Sequence, residues 1–255
     1  MIYEVTGTKE IKDLFATSKE TMVWSCIQGV MGHLYADSPD NPQSAMAVLG
    51  DFCFFAGTPN IELILYKPQW CRQEFIIMTT LASEWFPLIE AAYGEKAKKV
   101  SRFAIKKEPN VFDKEKLNAL AENVNEGFTL WLIDEELFDY CRKQEWSRDF
   151  ISQYTDYETY RKLGLGVVAM KNGVPVSGAS SYSSYKDGIE IQIDTKKEYR
   201  RQGLATACGA RLMLECLERG LYPSWDAQNR WSVALAEKLG YHFDYEYTAY
   251  EVTGY

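Results

Sequence analysis

The residues best suited to chemistry lie in one turn. Arg200-Arg201-Gln202-Gly203-Leu204-Ala205 follows an alternating run, Gly188 to Thr195, and opens a helical repeat, Leu204 to Arg219. Backbone N–H groups at a helix start suit a diphosphate, with Gly203 admitting close approach and Glu198 the only further acid. A plain bend between strand and helix would also use a glycine there, so the turn by itself leaves both readings level. Lys196, Lys197, Arg200 and Arg201 would supply the cationic field an anion needs. On the preceding strand, a period of two puts Glu190, Gln192 and Asp194 on one face and Ile191 and Ile193 on the other.

These residues need elements to hold them. In the first half the spacing predicts a helix over 8–20, with Ile11, Leu14 and Phe15 as its apolar face. A β-rich run over 22–35 and a loop over 37–42 follow. Strands are expected at 45–49, 51–56, 61–66 and 75–80, a helix at 83–93 stopped by Gly94, and an edge strand over 96–107. His33 sits in an apolar stretch and reads as structural.

In the second half, helices are expected over 113–123, after an Asp134 N-cap, and over a Thr155-to-Glu158 capping box ending near Lys162. Asn172-Gly173 joins strands 164–170 and 174–182 as a hairpin. After the turn and its helix, stopped by Gly220, a short strand over 222–226 contains Pro223. That proline cannot donate to a ladder, so pairing on both sides is not expected. Asn229 opens a last helix, stopped by Gly240, and an aromatic-rich strand over 241–252 closes the sheet.

At 255 residues the chain can bury one large core or two smaller ones. A net charge of −8 argues against nucleic acid or an anionic membrane as the main partner. Cys26, Cys53, Cys71, Cys141, Cys208 and Cys216 show no CxxC or zinc-like spacing, which favours buried free thiols and no metal site. No signal-peptide pattern or membrane-length apolar run occurs, so a cytoplasmic protein is expected.

The order of three antiparallel strands, cationic glycine turn, helix, short strand, Asn-led helix and terminal strand resembles the GNAT superfamily of N-acetyltransferases. That superfamily's acyl-CoA signature (Gln or Arg, two residues, Gly, one residue, then Gly or Ala) is met by Arg200, Gly203 and Ala205. Its second signature is met by Asn229, Ser232 and Lys238-Leu239-Gly240-Tyr241. Either motif is weak alone; the two in register are specific. The likeness spans about residues 128–255. With the first half included, the layout and the runs Ile193 to Thr195 and Tyr199 to Ala205 resemble the two-part bacterial GNAT group containing the zwittermicin A resistance acetyltransferase.

That resemblance implies an α+β protein. Residues 126–255 would form a mixed, mostly antiparallel splayed sheet flanked by helices, and 1–125 an α+β domain of unassigned role. It implies acetyl-CoA as co-substrate, no metal, and a small-molecule amine as acceptor, an antibiotic in the narrower group; a homodimer is compatible with it. The cofactor set carried over is Ile193, Asp194, Thr195, Arg200, Arg201, Gln202, Gly203, Leu204, Ala205, Thr206, Asn229 and Ser232. Glu190 is the first choice for general base, directly or through water, with Asp194 and Glu198 in reserve; a solvated carboxylate is the plain alternative. Asn229 could cap its helix, contact the pantetheine arm, or do both. One departure stands out: many members carry a Tyr as general acid seven residues after that Asn, and here the position is Ala236. A module that binds acyl-CoA without turnover, or one for another phosphorylated ligand, are the rival readings.

Overall fold

In the computed structural model, which describes residues 1–80 and 82–255, local capping sets many element limits. β1 (Tyr3–Val5) leads to α1 (Lys9–Leu14), whose Thr8 hydroxyl accepts the Ile11 amide. α2 (Thr21–Gln28) stops at Gly29, which turns to φ 66° and donates to the Cys26 carbonyl. Then come β2 (His33–Ala36), β3 (Ser44–Leu49), β4 (Phe52–Gly57), α3 (Ile61–Ile64), β5 (Phe75–Thr80), α4 (Phe86–Tyr93) and β6 (Ala97–Ile105). The next elements are α5 (Lys114–Glu122), β7 (Phe128–Leu132), α6 (Glu135–Lys143), α7 (Tyr157–Leu163), β8 (Gly166–Lys171), β9 (Val174–Tyr185) and β10 (Gly188–Thr195). The chain continues through α8 (Leu204–Glu218), β11 (Tyr222–Ser224), β12 (Asp226–Ala227), α9 (Arg230–Leu239) and β13 (Phe243–Thr253).

Several sequence expectations are corrected. Residues 21–28 are helical, because the apolar run buries Met22, Val23 and Cys26 on one face before the left-handed Gly29. Short apolar runs fit helix and strand alike, and the glycine stop decides this one. Residues 61–64 are also helical, since the Asn60 side chain accepts the Glu62 amide at 2.9 Å. α1 covers six residues rather than 8–20. Asp156, not Thr155, caps α7. β6 is not an edge strand at its end, where Phe103 and Ala104 pair with Ala227 and Asp226.

Contacts divide the chain into two units, residues 1–102 with 246–255, and residues 103–245. Leu117 of α5 is buried in the same core as Cys208 and Leu212 of α8. The first unit orders its strands β1-β2-β3-β4-β5-β13, antiparallel except for the parallel β4–β5 pair. Its core gathers Tyr35, Met46, Val48, Trp85, Ile89 and Tyr250. β13 thus pairs with β5 and does not close the five-stranded sheet that carries β10.

The second unit orders its sheet β11-β10-β9-β8-β7, antiparallel except for the parallel β10–β11 pair. Asn172 and Gly173, at φ 52° and 76°, turn the β8–β9 hairpin. The two units repeat one order, β-α-α-β-β-β-α-β-α: β1 through α4 in the first, and β7 through α9 in the second apart from the two-residue β12. Among the described residues, no helix is long and apolar enough to cross a membrane, and all six cysteines are buried and free.

Candidate active site

The site grows from β10. Ile189 and Ile191 are buried in the core under α8, together with Leu204, Cys208 and Leu212. Gly209 lets α8 close on the sheet: a Cβ there would lie 3.0 Å from Leu239 and 3.1 Å from Ile193 side-chain carbons. Gln192, opposite Ser180 on β9, belongs to the other face. There Ser180 donates to the Phe150 carbonyl at 2.7 Å and meets the Tyr160 hydroxyl at 3.0 Å.

β10 and β11 part after three residue pairs. β11 matches Gly188, Ile189 and Glu190 with Tyr222, Pro223 and Ser224, while β9 follows β10 to Thr195. Two causes act at this point. The β9–β10 register slips between Glu190 and Ile191, and such a bulge bends a strand. On the other side, Asp226 and Ala227 pair away from β10, with β6. The outer edge of Ile191 to Thr195 is therefore without a strand partner among the described residues, leaving peptide groups for a ligand amide.

The turn after β10 is braced by its own side chains. Arg200 donates from Nε to the Thr195 carbonyl at 3.1 Å, and its guanidinium lies 3.6 Å from Asp194. Asp194 also accepts the Thr195 amide at 2.6 Å, and the Thr195 and Ser177 hydroxyls meet at 2.7 Å. Arg201 and Gly203 both take positive φ, 64° and 82°. A Cβ at Gly203 would meet nothing within 4 Å. Gly203 offers α8 no side-chain cap, so the first helical N–H groups, from Leu204 to Thr206, are not capped by it. Gln202 and Ala205 are half-buried beside them, and Leu204 is buried in the core.

α9 supplies the facing wall. Asn229 caps it, its side-chain oxygen accepting the Ser232 amide at 3.0 Å. The Ser232 hydroxyl accepts the Trp225 indole N–H at 3.0 Å. Lys238 reaches back to the Thr206 hydroxyl at 3.5 Å. Trp231 is 74% exposed, and the Arg201 guanidinium lies 5.2 Å from its ring centre. Sequence reading missed Trp231; a large apolar residue two positions after the helix cap, on a face expected to be polar, was the available signal.

Glu190 is only 5% exposed. Its strand neighbours are Ser183 on β9 and Ser224 on β11. Ser224 shares a hydrogen bond of 3.0 Å with the Tyr185 hydroxyl, and Tyr241 donates to the Pro223 carbonyl at 2.6 Å. Burial, with Glu190 as a further contributor, pushes the Tyr185, Tyr222 and Tyr241 phenols up from their ordinary values. The Ser183 hydroxyl is buried with no hydrogen-bond partner among the described residues. Ala236 is 0% exposed and packed in the core, and Tyr241 packs there too. Among the described residues, no cluster of His, Cys, Asp and Glu is placed to hold a metal.

The site thus joins a splayed strand pair, an uncapped helix start with two cations, an Asn-capped helix and a buried carboxylate. The family model described as GNAT acetyltransferase matches residues 12–250. The Uncharacterized N-acetyltransferase YdfB of Bacillus subtilis (strain 168) is 27% identical over 240 residues, spanning 90% of this chain and 89% of that protein. The crystal structure of a GCN5-related N-acetyltransferase-like protein from Streptococcus suis 89/1591 is 44% identical, with a TM-score of 0.91, covering 96% of this chain and 98% of that one. A tandem GNAT protein from the clavulanic acid biosynthesis pathway shares the fold over 100% of this chain and 98% of its own, at a TM-score of 0.54 and 10% identity.

Proposed function

Because the chain belongs to the GNAT acetyltransferase family, we propose that it transfers an acetyl group from acetyl-CoA to a primary amine of a small molecule. The observation that carries this is the open edge of Ile191 to Thr195 leading into an uncapped helix start at Gly203. Gly203 offers space where a side chain would stand, and no side-chain oxygen there competes for the first helical amides, so the turn fits a diphosphate.

Acetyl-CoA, when bound, supplies an acyl carbon already activated as a thioester. Amides from Arg201 to Thr206 hold its diphosphate, and the open edge of Ile193 to Thr195 takes its amide-bearing arm. Asn229 and Ser232 keep α9 in place beside that arm, with their caps intact. Asp194 and Arg200 act by bracing the turn through Thr195. Trp231, with Arg201 against it, offers a flat surface for the purine end.

Glu190 accepts the proton that the amine must lose, and Ser183 beside it orients the amine or a relaying water through its uncommitted hydroxyl. The nitrogen then forms its bond to the acyl carbon as the sulfur departs with the electron pair. No phenol stands at position 236 to protonate that sulfur, and thiols ionise near 8.5, so departure as the anion meets the need.

The acidic net charge and the narrower likeness to the zwittermicin A resistance group support a cationic, antibiotic-like acceptor. Six free cysteines support a reducing, cytoplasmic setting. The test is thiol release from acetyl-CoA across polyamines, aminoglycosides and other amine metabolites. Release with at least one amine, lost in Glu190→Gln, is expected. Buried Ala236 favours one second reading, an acyl-CoA-binding module without turnover; tight acetyl-CoA binding with no release from any amine would establish it instead.

A further inference from the structure

Where β10 and β11 part, a row of polar side chains crosses three strands. Glu190 pairs with Ser183 on β9 and with Ser224 on β11. Residues directly opposite one another share a face of a sheet, so the two hydroxyls flank the carboxylate. Ser224 is the last residue of β11 to pair with β10, at the point where the edge of β10 opens. It is buried, at 0% exposure.

A count of hydrogens sets Ser224 apart. Its hydroxyl has one hydrogen-bond partner among the described residues, the Tyr185 hydroxyl at 3.0 Å. Two hydroxyl hydrogens meet in that pair, and one bond joins them. A phenol is a stronger acid than an alcohol and donates in such a pair. Burial pushes the Tyr185 phenol up from its ordinary value, so its proton stays in place. The Ser224 hydrogen is then left over in the interior, where a buried donor calls for a partner with a lone pair.

The direction of the ligand says which lone pair arrives. The turn that fits a diphosphate follows Thr195, and the open edge runs back from it to Ile191. An arm laid along that edge brings its far end, the thioester, to the rung of Glu190 and Ser224. As the carbon–sulfur bond breaks, negative charge collects on sulfur in a buried place, where a preset donor is worth most. Ala236, packed in the core, offers no phenol to meet it. We propose that Ser224 is a catalytic residue whose hydroxyl donates to the departing sulfur, and that Tyr185 is the positioning residue that turns this hydroxyl toward it. The electron pair of the broken bond goes to sulfur, and Glu190 holds the proton lost by the amine. The thiolate leaves as the anion and is protonated in solvent. This role rests on the acetyltransferase reading.

The test needs no turnover. Coenzyme A carrying carbon-13 beside its sulfur is bound to the full chain, and ionisation of its thiol is followed by NMR. Free thiols ionise near 8.5, so a titration from about pH 6 to 10 spans the change. The bound thiol is expected to ionise about one pH unit or more lower in the parent chain than in Ser224→Ala. That is a tenfold or larger shift, as loss of one charge-assisted hydrogen bond predicts. Tyr185→Phe is expected to move ionisation in the same direction as Ser224→Ala, and acetyl-CoA affinity by calorimetry to be equal in all three chains. With an accepted amine, kcat of Ser224→Ala is expected to fall about tenfold or more at unchanged KM for acetyl-CoA. If Ser224→Ala fails to fold by circular dichroism, Tyr185→Phe decides. Equal ionisation in the parent and the variants overturns the proposal and leaves acetyl-CoA binding and transfer standing. Failure of coenzyme A to bind the parent chain overturns the acetyltransferase reading itself.

Discussion

At the scale of single residues, Gly203 and Glu190 carry distinguishable risks. A leucine at Gly203 must adopt φ near 82°, which costs about 1–2 kcal/mol, but its Cβ meets no atom within 4 Å. Gly203→Leu is therefore expected to fold with a modest loss in denaturant midpoint, while acetyl-CoA affinity by calorimetry falls at least about tenfold, because the side chain stands over the helix amides. Unchanged affinity would remove the cradle assignment. Glu190→Gln keeps the shape and hydrogen-bonding reach of the side chain and removes its basicity. Turnover is expected to drop about 10²–10⁴-fold, the usual worth of a placed base, with acetyl-CoA binding preserved. Trp231→Ala gives a third reading. Affinity for acetyl-CoA is expected to fall about five-fold or more, as about 1–3 kcal/mol of base stacking predicts, while affinity for acetyl-pantetheine, which lacks the purine, stays constant. Equal losses for both ligands would place Trp231 outside the purine contact.

At the scale of elements, the second half was legible because its punctuation is strong and local. Asn172-Gly173, Gly203, Gly220 and Gly240 all turn the chain to positive φ, and the strands and helices between them follow. The first half misled at 22–35 and 61–66 because short apolar runs carry no period long enough to separate helix from strand. The parting of β10 from β11 was anticipated from the family resemblance, but its two causes, the slip between Glu190 and Ile191 and the pairing of Asp226 and Ala227 with β6, depend on pairing across strands and leave no mark in one strand's sequence. Asn229 shows how one residue serves an element and a site together. Asn229→Ala is expected to cost about 1 kcal/mol by thermal or chemical unfolding through loss of the α9 cap. Asn229→Asp retains a capping oxygen and loses the amide donor. If it keeps stability and still weakens acetyl-CoA binding, the ligand contact is real; if it behaves as the parent in both, Asn229 is a cap alone.

At the scale of the whole molecule, buried acids of high pKa make stability depend on alkaline pH. Burial pushes the Cys26, Cys208 and Cys216 thiols up to about 12 and the Cys141 thiol up to about 11. It also lifts the Tyr35, Tyr93 and Tyr154 phenols to about 12. Unfolded thiols and phenols ionise near 8.5 and 10, so the unfolded chain sheds protons first. Stability from these groups is thus complete below about pH 8.5 and declines steadily toward pH 12. Denaturant midpoints measured from pH 7 to 11 should show that fall, and a thiol reagent at pH 8 should find no fast-reacting cysteine until the chain is unfolded. The repeat of element order between the two units was not visible in the residues, since the turn after β4 shares no motif with the turn after β10. The return of residues 246–255 to the first unit has a consequence for biosynthesis. Ala249 to Thr253 pair with Phe75 to Thr79, so that sheet waits for a strand translated only after all of residues 103–245. Throughout that interval the nascent chain carries β5 with a bare hydrogen-bonding edge, a surface chaperones must shield or neighbours will capture. A ribosome that stalls near residue 245 would then release a chain whose later-made unit is whole and whose earlier-made unit lacks its strand.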